Sequence, residues 1–193
     1  ALGLAALRAH CPVPVIGVIE PGCRAALELT SGLERAGRVG VIGTRSTVAS
    51  GAYPDRLATL DLRIQVVSLA CPLFVPLVEE GWLDHPAVRM IVEETLAPLL
   101  SHSLDALILG CTHYPVLAPV IAQVMGTGVP LVDSSAAVAD ELGRYLGAVI
   151  QPAPPDQTRK IEFLVTDVAD RFREMAVRFI AGVSEGLVEM VDL

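Results

Sequence analysis

The sequence predicts an α/β fold with a mostly parallel sheet flanked by helices, and two observations carry that expectation. The apolar runs are short and rich in Val and Ile, as strands buried on both faces must be. Between them lie stretches with apolar residues at helical spacing, and strands alternating with helices imply right-handed βαβ units. Strands are expected over residues 13–19, 39–42, 64–69, 106–109, 129–132 and 161–165. Residues 21–35 read as a helix that opens with Pro21 and closes near Gly37. Residues 46–60 read as a helix, and 85–100 carry Val88, Ile91, Val92, Leu96 and Leu99 on one stripe. Residues 134–146 have the Ser/Asp start and Gly end of a capped helix. Residues 168–180 place Phe172, Met175, Ala176 and Phe179 on one face. The polar, Pro-rich stretch 151–157 is a surface loop or a linker.

Composition removes several classes of function. The chain has 193 residues, 52% of them hydrophobic, which is enough for a real core. Lys and Arg number 14 against 22 Asp and Glu, giving a net charge of −8, so the basic face that nucleic acid requires is missing. Mean hydropathy is high at +0.56. Even so, Pro, Gly or charge interrupts each apolar stretch before the roughly 18 residues of a membrane span. The first residues, Ala-Leu-Gly-Leu-Ala-Ala-Leu-Arg, lack the basic region and cleavage pattern of a signal peptide, and the expected compartment is the cytoplasm. With no starting Met and a helix-like opening, the sequence reads as a fragment that lacks a leading strand. Four scattered cysteines do not make a disulfide scaffold, and no His/Cys pair has zinc spacing. Lys160 is the one lysine, placed at a strand start, which argues against a pyridoxal-phosphate enzyme.

Ligands of open α/β sheets bind beyond the carboxyl ends of the strands, so the residues following each strand are the candidates. After 39–42 comes Gly43-Thr44-Arg45-Ser46-Thr47, a turn into a helix start with three hydroxyls. It suits a carboxylate or phosphate, or serves as an ordinary N-cap. After 106–109 comes Gly110-Cys111-Thr112-His113-Tyr114-Pro115. A thiol there can feel a helix N-terminus and a nearby imidazolium, both of which favour thiolate. The plain alternative is a structural cysteine beside a capping threonine. Cys71 sits among apolar neighbours and reads as a core thiol. Glu79 and Glu80, adjacent on a helix, point about 100° apart and cannot act as a facing pair. One could reach a cleft while the other is solvated. Asp133 is a candidate helix cap, and Cys11 and Cys23 lack polar company.

Four segments together resemble one family. They are Leu-Ile-Leu-Gly-Cys-Thr-His-Tyr-Pro (107–115), Leu-Ala-Cys-Pro-Leu-Phe-Val-Pro-Leu-Val-Glu (69–79), Ile-Gly-Thr-Arg-Ser-Thr (42–47) and Gly-Val-Ile-Glu-Pro-Gly (17–22). In order and over about residues 1–180, they are similar to glutamate racemases of the aspartate/glutamate racemase superfamily. The resemblance implies cofactor-independent interconversion of L- and D-glutamate, an isomerase reaction supplying D-glutamate for peptidoglycan and so for cell-wall biogenesis and cell shape. Two cysteines would face opposite sides of the substrate Cα. By the same resemblance, Cys111 is one acid/base, His113 assists it and also touches substrate, and Glu79 supports that side. Thr112, Thr44 and Thr47 would hold substrate polar groups. No metal and no cofactor is implied. The partner implied is glutamate, with a second copy of the chain as a further candidate.

The family fold is two similar α/β domains with the active site between them. Residues 20–130 would form the inserted second domain, and residues 1–19 with 131–193 parts of the first, whose leading strands are absent. The family's other catalytic cysteine lies in a segment that matches none of Cys11, Cys23 and Cys71. The expectation is therefore a chain inactive by itself and exposing apolar surface. Two other readings stand beside it: an aspartate- or hydantoin-type racemase, and a non-catalytic amino-acid-binding or regulatory module of the same fold.

Overall fold

The computed structural model describes residues 3–149, 162–166, 169–179 and 188–192. The chain divides into two compact units, Ala1–Val149 and Ile150–Leu193. In the first, α1 (Leu4–His10) and α2 (Ile19–Thr30) precede β1 (Arg38–Gly43). Then come α3 (Arg45–Ala49), α4 (Ala52–Leu60), β2 (Gln65–Ala70), α5 (Phe74–Glu79), α6 (Pro86–Leu100) and β3 (Ala106–Leu109). A 3-10 turn (Tyr114–Leu117), α7 (Ala118–Met125), β4 (Leu131–Asp133) and α8 (Ser134–Val149) complete it. The four strands form one parallel sheet in the order β2-β1-β3-β4. This is the α/β architecture the alternation predicted.

The strand sequences show why the runs are apolar throughout. Along β1, Val39 and Val41 enter one core with Cys23, Ala26, Tyr53 and Leu57, while Ile42 enters the other. Along β3, Ala106 and Ile108 face the first core, and Leu107 and Leu109 the second. The second core is filled from α5, α6 and α7 by Phe74, Val92, Leu96 and Ile121. A strand with a period of two and apolar packing on both sides has no polar position left.

Several expectations are corrected. Residues 13–19 form no strand: Pro12 and Pro14 withhold amide donors on either side of Val13, and Ile19 already opens α2. The helix expected over 21–35 ends at Thr30, ahead of Gly32 at φ 84°. The single helix expected over 46–60 is two helices, because Gly51 at φ 65° takes the left-handed conformation between α3 and α4. Residues 131–133 hydrogen-bond in register with β3, and Leu107 N donates to Pro130 O at 2.9 Å. The sheet thus runs past the boundary expected at 130, and the unit continues through α8, which packs on α2.

In the second unit, β5 (Phe163–Val165) pairs parallel with β6 (Val188–Met190), with α9 (Ala169–Phe179) between them in sequence. The Phe163 and Phe172 rings meet at a tilt of 46° with centroids 5.7 Å apart, and Ala176 is buried, but Phe179 of the expected stripe is 39% exposed. The stretch 151–157, Lys160 and the start of the strand expected at 161 lie outside the described residues.

The amino end of the sheet is closed by an ion pair. Arg35 donates from both terminal nitrogens to Asp105 at 2.8 and 2.6 Å, and Arg38 N donates to the same carboxylate at 2.8 Å. The Arg35 hydrogen bond holds the Asp105 carboxyl below its ordinary value, aided by the Arg38 amide and opposed by burial. A carboxyl depressed on folding contributes stability above the unfolded value of about 3.9 and loses it as pH falls through the folded value. Asp105→Asn is therefore expected to cost stability at neutral pH and progressively less as pH drops below about 4. Urea midpoints measured between neutral and acid pH check this.

Candidate active site

The candidate residues gather where β1, β2 and β3 end, the edge at which parallel sheets bind ligands. Gly110 brings the two central loops together: its N donates to Ile42 O at 2.7 Å. A Cβ on Gly110 would lie 2.8 Å from that oxygen and 3.1 Å from the Tyr53 ring. Cys111 follows at once, half-buried, in the turn between β3 and the 3-10 helix. Its Sγ is 3.9 Å from His113 Nδ1. The far nitrogen, His113 Nε2, is 3.4 Å from Glu79 Oε1, an ion pair whenever the imidazole is protonated. Thr112 Oγ1 approaches His113 Nδ1 at 3.5 Å from the exposed side. Thiol, imidazole and carboxylate thus form a line from turn to helix end.

Of the two adjacent glutamates, Glu79 meets His113, while Glu80 is the exposed C-cap of α5. A second group sits on the neighbouring strand end. Thr44 caps α3, its hydroxyl accepting from Thr47 N at 3.2 Å and lying 3.0 Å from the Thr47 hydroxyl. Beside it, Ser46, Thr47, Ser50 and Tyr53 border a hollow of about 210 Å³ that reaches Gly110. A larger hollow of about 450 Å³, between His85 and Arg89 on one side and Gln123 on the other, contains none of the six candidates.

The thiols differ sharply. Burial raises the Cys111 thiol above its ordinary value, and the amides of His113 and Tyr114, hydrogen-bonded to the sulfur, pull the other way. The sequence suggested that the turn and an imidazolium would favour thiolate; here desolvation is the larger effect. Cys71 and Cys23 are wholly buried, and burial pushes both to about 12. Cys71 is the packed core thiol its neighbours implied. Alkylation requires thiolate and access. Exposed Cys11 should react first, Cys111 with a pH profile displaced above the usual ~8.5, and Cys23 and Cys71 only on unfolding. Peptide-resolved mass spectrometry after iodoacetamide treatment at several pH values checks this order.

Other candidates have structural duties. Asp133 Oδ1 accepts from Ser135 N at 2.8 Å and caps α8, and His85 caps α6. Sequence reasoning missed Ser134 and Tyr53. Ser134 donates to Leu109 O at 3.1 Å, and its hydroxyl is 3.4 Å from that of Tyr53. By sequence Ser134 is part of a helix start and nothing more. Among the described residues, no group of three or more His, Cys, Asp and Glu side chains is placed to hold a metal ion. No described helix is long and apolar enough to cross a membrane.

The Asp/Glu/Hydantoin racemase family profile matches residues 1–142. The chain is 43% identical over 182 residues to a glutamate racemase of Syntrophus aciditrophicus, an alignment covering 94% of this chain and 66% of that protein. A glutamate racemase isoform from Bacillus anthracis superposes with a TM-score of 0.86 at 37% identity, over 98% of this chain and 69% of that one. A Francisella tularensis glutamate racemase, solved with D-glutamate, gives 0.81 at 30% identity over 97% and 67%. The chain belongs to the Asp/Glu/Hydantoin racemase family. It spans just under two thirds of the length of the first of these relatives.

Proposed function

We propose that the protein interconverts L- and D-glutamate, the reaction its glutamate racemase relatives are named for, and that it does so by proton transfer at Cα without a cofactor. The observation that carries this reading is the line Cys111–His113–Glu79 at the carboxyl edge of the sheet. The α-hydrogen is weakly acidic, so its removal needs a placed base and stabilisation of charge developing on the carboxylate. Cys111 as thiolate takes that proton; as thiol it returns one. His113 accepts or supplies the sulfur's proton, and Glu79, 3.4 Å from its far nitrogen, orients the imidazole. Thr112, Thr44 and Thr47 offer hydroxyls to the substrate's carboxylates.

Inversion requires a second acid/base on the opposite face, since one base tends to return the proton where it was taken. Cys23 and Cys71 are sealed in the cores. The family resemblance puts the second group in a segment that matches none of Cys11, Cys23 and Cys71. The two-domain arrangement expected from the sequence belongs to this proposal, with β4 kept in the unit that holds Cys111. So do a cytoplasmic location, a product that feeds peptidoglycan synthesis, and a homodimer.

The test is to incubate the intact protein with L-glutamate and with L-aspartate and to follow optical rotation or circular dichroism. Glutamate should racemise and aspartate should not. Binding of glutamate by calorimetry with no loss of optical activity would overturn the reading in favour of a binding module.

A further inference from the structure

We propose that Tyr114 is a positioning residue for the Cys111–His113–Glu79 line, acting through a buried hydroxyl that ties the turn bearing the thiol to the loop leading into α5. The Tyr114 ring is wholly buried, and its hydroxyl donates to Cys71 O at 2.8 Å. The carbonyl it reaches lies one residue past the end of β2, where Cys71 N donates to Gly43 O at 2.9 Å and anchors the loop to β1. Cys71 O also accepts from Phe74 N at 3.2 Å, at the first residue of α5. The Phe74 ring meets Tyr114 edge-on, with centroids 5.2 Å apart and planes at 68°.

Two loops are thus joined twice. Tyr114 grips Cys71 and Phe74 at the base, and His113 meets Glu79 at the rim, one helix length further along α5. Rotating or lifting Tyr114 would change both ends at once, because His113 is its chain neighbour and Glu79 rides on the helix that Phe74 starts. The backbone adds a third link: Tyr114 N donates to Cys111 O at 3.1 Å, closing the turn around the sulfur. The Tyr114 amide is also one of the two that hydrogen-bond the Cys111 sulfur and favour its thiolate. A phenol buried this deeply needs a partner. A main-chain carbonyl at the root of a neighbouring loop is a partner that also fixes geometry.

The kinetic part of the test rests on the racemase reading, so it is paired with one that does not. Tyr114→Phe keeps the ring and its contact with Phe74 and removes only the oxygen; Cys71 O keeps its bond from Phe74 N. Val92→Ala, a truncation on α6 in the same core, serves as the control for stability loss alone. In the intact protein, Tyr114→Phe should lower kcat for glutamate roughly fivefold, the worth of one neutral hydrogen bond, with KM within about twofold. The Cys111 alkylation profile should move to higher pH in Tyr114→Phe and stay in place in Val92→Ala. If Tyr114→Phe matched the parent in alkylation profile and kcat, or moved them no further than Val92→Ala, the proposal would be overturned. If no variant or parent turned over glutamate while the alkylation profile still moved, the positioning role would stand and the racemase reading would fail.

Discussion

In the intact protein, His113→Asn is expected to lower glutamate turnover by about a hundredfold or more, the usual worth of a general acid/base group. The reason lies in what the imidazole separates. Burial disfavours the Cys111 thiolate, so the sulfur depends on neighbours to lose its proton. The imidazole is the side chain 3.9 Å from the sulfur on one side and 3.4 Å from the Glu79 carboxylate on the other. Asn has neither a titrating nitrogen nor the reach to span both contacts. KM should change less than kcat, because the substrate-holding role proposed for Thr112, Thr44 and Thr47 is untouched. Glu79→Gln should cost less than His113→Asn, since it removes charge and orientation but leaves the proton carrier. Steady-state kinetics in both directions give the split.

Gly110→Ala is expected to destabilise the fold by about 1–3 kcal/mol, the usual cost of forcing an extra carbon into a packed site. The obstacle is main chain: the new Cβ would fall 2.8 Å from Ile42 O, which is itself held by Gly110 N at 2.7 Å. Moving apart breaks the bond that docks the Cys111 loop onto β1. Tyr53 blocks the other side at 3.1 Å. The variant should therefore lose urea stability and expose Cys111 to alkylation at lower denaturant than the parent. Unchanged midpoints would mean that the loops are not held together here.

The strands that were legible in the sequence are those whose neighbours cover both faces. Residues 39–42 and 106–109 are unbroken apolar runs because Val39 and Ile42, or Ile108 and Leu109, serve opposite cores. The same signal misled at 13–19, where two prolines outweigh the apolar content. Gly51 was unremarkable in sequence, and only its left-handed backbone divides α3 from α4. The place of β4 depends on a main-chain bond to Leu107 that no local pattern encodes.

The candidate site divides in the same way. Cys111, Thr112 and His113 are contiguous, so a strand followed by a turn already groups them. Glu79 lies 34 positions from His113 in the chain, and its nearness came only with the resemblance. Tyr114, Ser134 and Tyr53 act through hydroxyls on distant carbonyls and hydroxyls, which residue type and spacing do not reveal.

Everything functional turns on whether the Cys111 sulfur carries the α-proton. The direct measurement is deuterium entry at Cα, followed by proton NMR with L- and D-glutamate separately in heavy water, for the intact protein and its Cys111→Ser variant. The parent should invert both enantiomers and place deuterium in each product. The variant should invert neither, and should exchange the α-hydrogen of at most the one enantiomer that presents it to the opposite face. Inversion and exchange by Cys111→Ser at the parent's rate for both enantiomers would contradict the account.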